Sequence, residues 1–155
     1  TQWDVYPVTR IFEELETFFS SHPAKKGKEI EFSPAPAETE ITTDVSLLER
    51  ILSNMIINAL EATPDSGIVR VWAEEKDGTI RFHVWNSQAI PENIQGRIFQ
   101  RNFSTKDQSG RGIGTFSMKL FGEKILGGRV SFETSPETGT TFTYTTDLVR
   151  PDPKK

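Results

Sequence analysis

The chain contains no cysteine. That excludes a disulfide framework, an iron–sulfur cluster and a thiolate zinc site, and leaves carboxylates, amides and two histidines as candidate metal ligands. It also lacks any apolar run approaching the ~20 residues that cross a bilayer, and the opening TQWDVYPVTR has neither a basic leader nor an apolar signal core. A soluble, cytoplasmic segment with no membrane contact of its own is expected, and its abrupt start suggests a piece of a longer protein. Excess positive charge is missing too. With 18 basic and 22 acidic residues the net charge is -4, which disfavours sequence-independent binding to nucleic acid. Finally, there is no internal repeat and no domain linker. A chain of 155 residues is long enough for one sizeable core, so residues 1–150 are expected to form a single domain and 151–155 a tail.

What is present has clear periodicity. From Pro7 to about Ser21, Val8, Ile11, Phe12, Leu15, Phe18 and Phe19 recur at three- and four-residue spacing, which predicts an amphipathic helix after a short strand near Trp3–Tyr6. Glu29–Phe32 and Thr39–Thr43 alternate like strands around Pro34 and Pro36, and read as an edge hairpin. A second helix is predicted from a Thr43–Asp44 cap to Pro64, with Leu48, Leu52, Met55, Ala59 and Ala62 on one face. Two strands, 68–75 and 79–85, flank the turn Lys76-Asp77-Gly78, whose Asp-Gly pair favours positive φ. A polar stretch from Asn86 to Gly112 holds one short helical segment near 92–99 and is too long for an ordinary connector. A third helix is predicted from about Gly114 to Ile125, then strands 129–134 and 140–148. Segregated helices and mostly antiparallel hairpins, without GxxxxGK[ST], predict a two-layer α+β sandwich with the helices on one face of a sheet, which excludes the doubly wound nucleotide folds.

Several residues on this frame have chemistry to offer. Asn54, Asn58 and Glu61 form one helical stripe beside the apolar face; the amides either bond to nearby backbone or present an oxygen to a hard cation such as Mg²⁺. Asn86 ends a strand, as a turn former or as a reader of a heterocycle through its paired acceptor and donor. Gly110-Arg111-Gly112-Ile113-Gly114-Thr115 precedes a helix, and is either a hinge or a loop whose backbone N–H groups approach phosphate. Between Gly96 and Gly114 the basic residues Arg97, Arg101, Lys106 and Arg111 face only Asp107, a local excess that suits a small polyanion. Neither His22 nor His83 has a second histidine or a carboxylate at ligand spacing, and both read as structural.

In order and spacing these segments resemble the ATP-binding catalytic domain of sensor histidine kinases, within the gyrase, Hsp90, histidine kinase and MutL superfamily. Leu48–Ala62 is similar to the N box, 98–106 to the F box, 110–115 to the G2 box and 139–142 to the closing Gly-Thr strand. The G1 box, normally Asp-x-Gly-x-Gly, is degenerate. Strand phase places Asn86 at the Asp position, because it shares a face with Val84 and Phe82 while Trp85 points away. A neutral amide there replaces a charge-assisted hydrogen bond, a difference of about 1 kcal/mol.

The resemblance implies a mixed, mostly antiparallel sheet backed by three helices, with an ATP lid whose ordering depends on the triphosphate. It implies ATP and Mg²⁺ as cofactors, with Asn58 as the magnesium ligand. Nucleotide contacts are implied for Asn54, Asn58, Asn86, Ile90, Phe99, Arg101, Thr105, Lys106, Gly110, Arg111, Gly112, Ile113, Gly114, Thr115 and Thr140. Asn54 and Lys106 would serve catalysis: Lys106 on the phosphates, where Glu61 replaces a lysine common in the family, and Asn54 where the hydrolytic members carry a general-base Glu. No phosphoacceptor His box is present in this stretch. Its implied partners are therefore a separate dimerisation and phosphoacceptor domain and, through that domain, a response regulator. The alternative is a non-catalytic module of the same fold.

Overall fold

The computed structural model describes residues 1–100 and 118–149. Its main feature is a five-stranded sheet in the order β2-β4-β5-β7-β6, formed by β2 (Glu29–Phe32), β4 (Ile68–Lys76), β5 (Thr79–Asn86), β6 (Arg129–Ser135) and β7 (Gly139–Asp147). Only the β2–β4 pair is parallel. The predicted β4–β5 hairpin closes through Lys76 opposite Thr79, with Asp77 at φ 53 and Gly78 at φ 80, the positive dihedrals that its Asp-Gly turn is suited to adopt.

Alternation along the strands sends one set of side chains to a buried face: Val69 and Val71, Ile80, Phe82 and Val84, Phe142 and Tyr144, and Val130. Two helices join that core. Helix α1 (Val8–Phe19) buries Val8, Ile11, Phe12, Leu15 and Phe19 while Phe18 is exposed. Helix α2 (Val45–Ala62) buries Leu48, Ile51, Leu52, Met55, Ile56, Ala59 and Leu60. As the sequence predicts, Asp44 caps α2, accepting from Leu47 N at 3.2 Å; its other oxygen accepts from Gln2 N at 2.9 Å. Among the described residues no helix is long and apolar enough to cross a membrane.

The expected hairpin of 29–32 and 39–43 does not form. β2 is an edge strand as predicted, but it pairs with β4, whereas β3 (Glu40–Thr43) pairs antiparallel with β1 (Asp4–Pro7) in a separate two-stranded sheet. Pro34 and Pro36 lack the N–H groups that would continue a ladder, so the chain breaks between them and crosses from one sheet to the other, where Ile41 is buried. Leu148 ties the two sheets together, accepting from Thr42 N at 2.8 Å and donating to Gly78 O at 2.9 Å.

The third helix, described from Met118 onward, ends as a π-helix at Leu120–Ile125, with Leu126 N donating to Phe121 O five residues back at 2.9 Å. Gly122 O accepts from both Tyr144 Oη (2.9 Å) and Gly128 N (2.8 Å). A Cβ on Gly122 would lie 2.7 Å from Tyr144 Cε1 and 3.0 Å from Val130 Cγ2, so glycine is required for the helix to seat on β7. Burial pushes the Tyr144 hydroxyl up to about 12.

Between α1 and α2, Glu14 and Glu49 form a carboxyl pair, and Tyr6 Oη donates to Glu14 Oε2. Burial, and then Glu14 beside it, pushes Glu49 up to about 8; Glu14 is held low, first by the hydrogen bond from Glu49 and then by Tyr6. The pair therefore shares a proton near neutrality.

Two predictions follow from this packing. Gly122→Ala forces Tyr144 or the helix to move and is expected to cost ~1–3 kcal/mol, measured by denaturant unfolding; unchanged stability would show that the slot is not tight. For Glu49, the folded state holds a proton that the unfolded chain releases near 4.5, so the stabilisation is complete below that pH and is lost as pH rises through about 8. The melting temperature should fall between pH 6 and 9 in the native protein and stay level over that window in Glu49→Gln, whose amide donates without titrating.

Candidate functional site

The site is built where the apolar face of the sheet turns polar. Asn86 is the last residue of β5 and is 3% exposed, on the same face as Val84 and Phe82, while Trp85 lies on the other. The strand phase read from the sequence is the one observed. Asn86 stands opposite Thr140, the second residue of β7, which is 2% exposed. Gly139 makes this approach possible: its φ is +83, and a Cβ there would lie 2.2 Å from Asn86 O and 2.9 Å from Ser87 Cα.

The loop after β5 is held by side chains. Asn86 Oδ1 accepts from Gln88 N at 2.9 Å, the local bond of a turn former, which occupies one of its two lone pairs. Thr140 Oγ1 donates to Gln88 O at 2.6 Å and lies 2.8 Å from Thr134 Oγ1. Ile90 N donates to Thr134 Oγ1 at 2.8 Å, and Gln95 Nε2, from helix α3 (Glu92–Gln95), donates to Ile90 O at 2.9 Å. Asn86, Ile90 and Thr140 are thus brought together. Phe99 lies alongside, its ring 5.9 Å from Phe132 and 6.1 Å from Phe142, with Lys119 Nζ 5.1 Å from its centroid.

Asn54 and Asn58 belong to a different element. With Glu61 they form a half-buried stripe on α2 beside the fully buried Met55, Ile56, Ala59 and Leu60, as their spacing predicts. Asn58 Nδ2 is buried with no hydrogen-bond partner among the described residues. An orphaned donor of this kind is uncommon in a finished interior and calls for an acceptor, such as a water or a ligand oxygen, to complete its bonding. Arg101, Thr105, Lys106, Gly110, Arg111, Gly112, Ile113, Gly114 and Thr115 lie outside the described residues, as do the start of the third helix and the tail 151–155.

Thr134 is absent from the sequence-predicted set. Its signal was available, because a strand–turn–strand reading of 129–148 sets Thr134 opposite Thr140, the register observed. The histidines are structural. His22 Nδ1 accepts from Ala24 N at 3.1 Å. His83, on the open face, stacks on Trp72 with centroids 4.9 Å apart, and its Nδ1 lies 2.8 Å from Thr143 Oγ1. Its Nε2 is 2.7 Å from Glu74 Oε1 without the alignment of a hydrogen bond, a cross-strand carboxylate that spacing along one segment could not reveal. Burial lowers the His83 pKa despite Glu74. Among the described residues no group of three or more His, Asp or Glu side chains could hold a metal.

Comparison with known proteins places this geometry. A probable C4-dicarboxylate sensor kinase of Halalkalibacterium halodurans is 36% identical over 97 residues, 59% of this chain and 18% of that protein. The aerobic respiration control sensor protein ArcB of Escherichia coli K12 is 31% identical over 156 residues, 93% of this chain and 20% of its own length. The chain thus spans about a fifth of these relatives. The solved catalytic domain of histidine kinase ThkA superposes with a TM-score of 0.85 at 25% identity, covering 96% of this chain and 97% of that one, so the mixed sheet backed by helices is the histidine-kinase catalytic fold. Residues 43–150, which run from the cap of α2 past the end of β7, match the model of one ATPase family, and the chain belongs to it: the histidine kinase-, DNA gyrase B- and HSP90-like ATPases.

Proposed function

We propose that the chain is the ATP-binding catalytic domain of a cytoplasmic sensor-kinase segment, holding Mg·ATP and presenting its γ-phosphate to a histidine on a separate dimerisation domain, which in turn serves a response regulator. The observation that carries the reading is Asn58 on the helix stripe where the family resemblance expects the magnesium ligand: its Nδ2, buried without a hydrogen-bond partner among the described residues, calls for an acceptor such as water or a phosphate oxygen, and the Oδ1 of the same amide would be the atom that meets the metal. The donor set fits a hard cation that takes few protein oxygens and completes its shell with water and phosphate. When bound, Mg²⁺ would be held by Asn58 and would supply neutralisation of the phosphate charge.

The chain's own residues supply positioning. Asn86 and Thr140 sit at the base-recognising end, with Ile90 and Phe99 as apolar walls. The sequence assigns the phosphates to Lys106, with Arg101, Thr105 and Arg111 adding local positive character, and to the backbone N–H groups of Gly110, Gly112, Ile113, Gly114 and Thr115. In the transfer the bond from the γ-phosphorus to the bridging oxygen breaks, leaving ADP, as a bond forms to an imidazole nitrogen of the acceptor. Asn54 cannot act as a base toward water, so hydrolysis without an acceptor domain is slow in this reading.

Titration calorimetry of the fragment with ATP, with and without Mg²⁺, tests the proposal. Magnesium-dependent ATP binding is the expected result; failure to bind would favour a non-catalytic interaction module. Asn58→Ala is expected to abolish the magnesium dependence while leaving the melting temperature close to that of the native protein, since one oxygen ligand is removed from a half-buried position. Undiminished magnesium dependence in a folded variant would place the metal elsewhere.

A further inference from the structure

Helix α2 has its two ends closed by opposite charges. At the N-terminus Asp44, its own cap, accepts from Leu47 N. At the C-terminus the helix has no basic residue in its last turn and carries Glu61 there, the unfavourable sign for the negative end of its dipole. The cation comes instead from a distant segment: Lys28 Nζ donates to Leu60 O at 2.6 Å. Thr63 completes the closure, with its Oγ1 donating to Ala59 O at 2.6 Å and its N to Leu60 O at 3.1 Å. The carbonyls of Ala59 and Leu60, which a helix end leaves without intrahelical partners, are thus both taken. Lys28 is held in place from both sides, because Gly27 O accepts from Ser66 N at 2.6 Å and Glu29 N donates to Gly67 O at 3.0 Å. Its backbone neighbours are stitched to the segment that leaves α2, so the ammonium is carried to the helix end by the main chain rather than by a freely searching side chain.

The turn closed in this way governs Asn58. In an α-helix each N–H reaches the carbonyl four residues back, so the Asn58 carbonyl is bonded by Ala62, the last residue of α2. Fraying of that turn frees the Asn58 backbone and, with it, the direction of its amide. We propose that Lys28 is a positioning residue for the metal: by holding the last turn of α2 shut, it fixes the direction in which Asn58 presents its amide oxygen. The inference rests on the nucleotide-binding reading above, in which that oxygen meets Mg²⁺. Groups that orient a metal ligand without touching the metal govern affinity in this way.

The test compares the native protein with Lys28→Met, Lys28→Gln and Lys28→Arg by calorimetry with ATP, in Mg²⁺ and in EDTA, alongside amide exchange at Ala62 followed by NMR. Lys28→Met is also measured in the Asn58→Ala background. Methionine keeps the length of the side chain but neither charge nor donor; arginine keeps both. Lys28→Met should lose about tenfold in affinity for Mg·ATP and less than about twofold for ATP without metal, and its Ala62 amide should exchange faster. Lys28→Arg should match the native protein. In the Asn58→Ala background Lys28→Met should add no further loss, because the residue it acts through is gone. If Lys28→Met does not fold, Lys28→Gln, which keeps a neutral donor, should show the same metal-selective loss in smaller measure. Equal losses with and without metal, a loss that persists in the Asn58→Ala background, or an unchanged affinity for Mg·ATP would overturn the proposal. If the native protein does not bind ATP, the functional reading falls and the metal-positioning role with it, while Ala62 exchange still reports whether Lys28 holds the turn.

Discussion

The register between β5 and β7, with Asn86 against Thr140, is the constraint on which the rest of the structure depends. Side chains alternate faces at every residue, so a slip of one position would turn Phe142 and Tyr144 out of the core. Gly139 guards against that slip, because only a residue without Cβ can come as close to Asn86 O as it does. Core, helix seat and polar rim are thus consequences of one strand pairing. Along β5 the inner face is apolar from Ile80 to Val84 and turns polar at its last row, where Asn86 and Thr140 are buried and partnered.

The two faces of the sheet handle polarity differently. On the open face, polar groups are paired across strands: Arg70 bonds Glu31 at 3.1 Å and lies over Trp85, whose Nε1 donates to Thr138 O. Half-exposed pairs of this kind contribute little to stability, but this one sets the Arg70 guanidinium over the Trp85 ring. On the helix side, Asp44 is committed to the cap, whereas Asn58 Nδ2 and Glu49 Oε2 are buried with no hydrogen-bond partner among the described residues. One of these falls on the stripe where a ligand is expected; the other titrates.

Much of this was legible in the sequence, and the limits are physical. Helix α2 was readable because cap, apolar spacing and stop signal agree along a single segment. The β4–β5 turn was readable because Asp-Gly is chemically suited to positive φ. Once the resemblance had narrowed the choice to Trp85 or Asn86, strand phase put Asn86 on the inner face, where it lies. What escaped needed contacts between segments far apart in the chain. The pairing of β1 with β3 competes with a local hairpin that has the same alternation, and nothing in residues 29–43 says which partner β3 will choose. Thr134 beside Thr140 is different: it follows from the register of a predicted hairpin, as Glu74 near His83 follows from another, and needs that register carried through to individual side chains. The raised Glu49 depends on how α1 crosses α2, which periodicity does not encode.

The π-helix at Leu120–Ile125 alters the helical phase. A helix that widens for one turn accommodates a residue more than the regular ladder, and each residue in an α-helix accounts for about 100° of rotation. Side chains before the wide turn are therefore clocked differently, relative to those after it, than in an unbroken α-helix. Met118 is fully buried upstream, and Gly122 and Leu126 reach the core within and beyond the turn. Shortening the turn by one residue would restore a uniform ladder while swinging Met118 out of the interior. The extra residue thus works as an angular spacer: it lets Gly122 dock on Tyr144 while Met118 stays turned into the core.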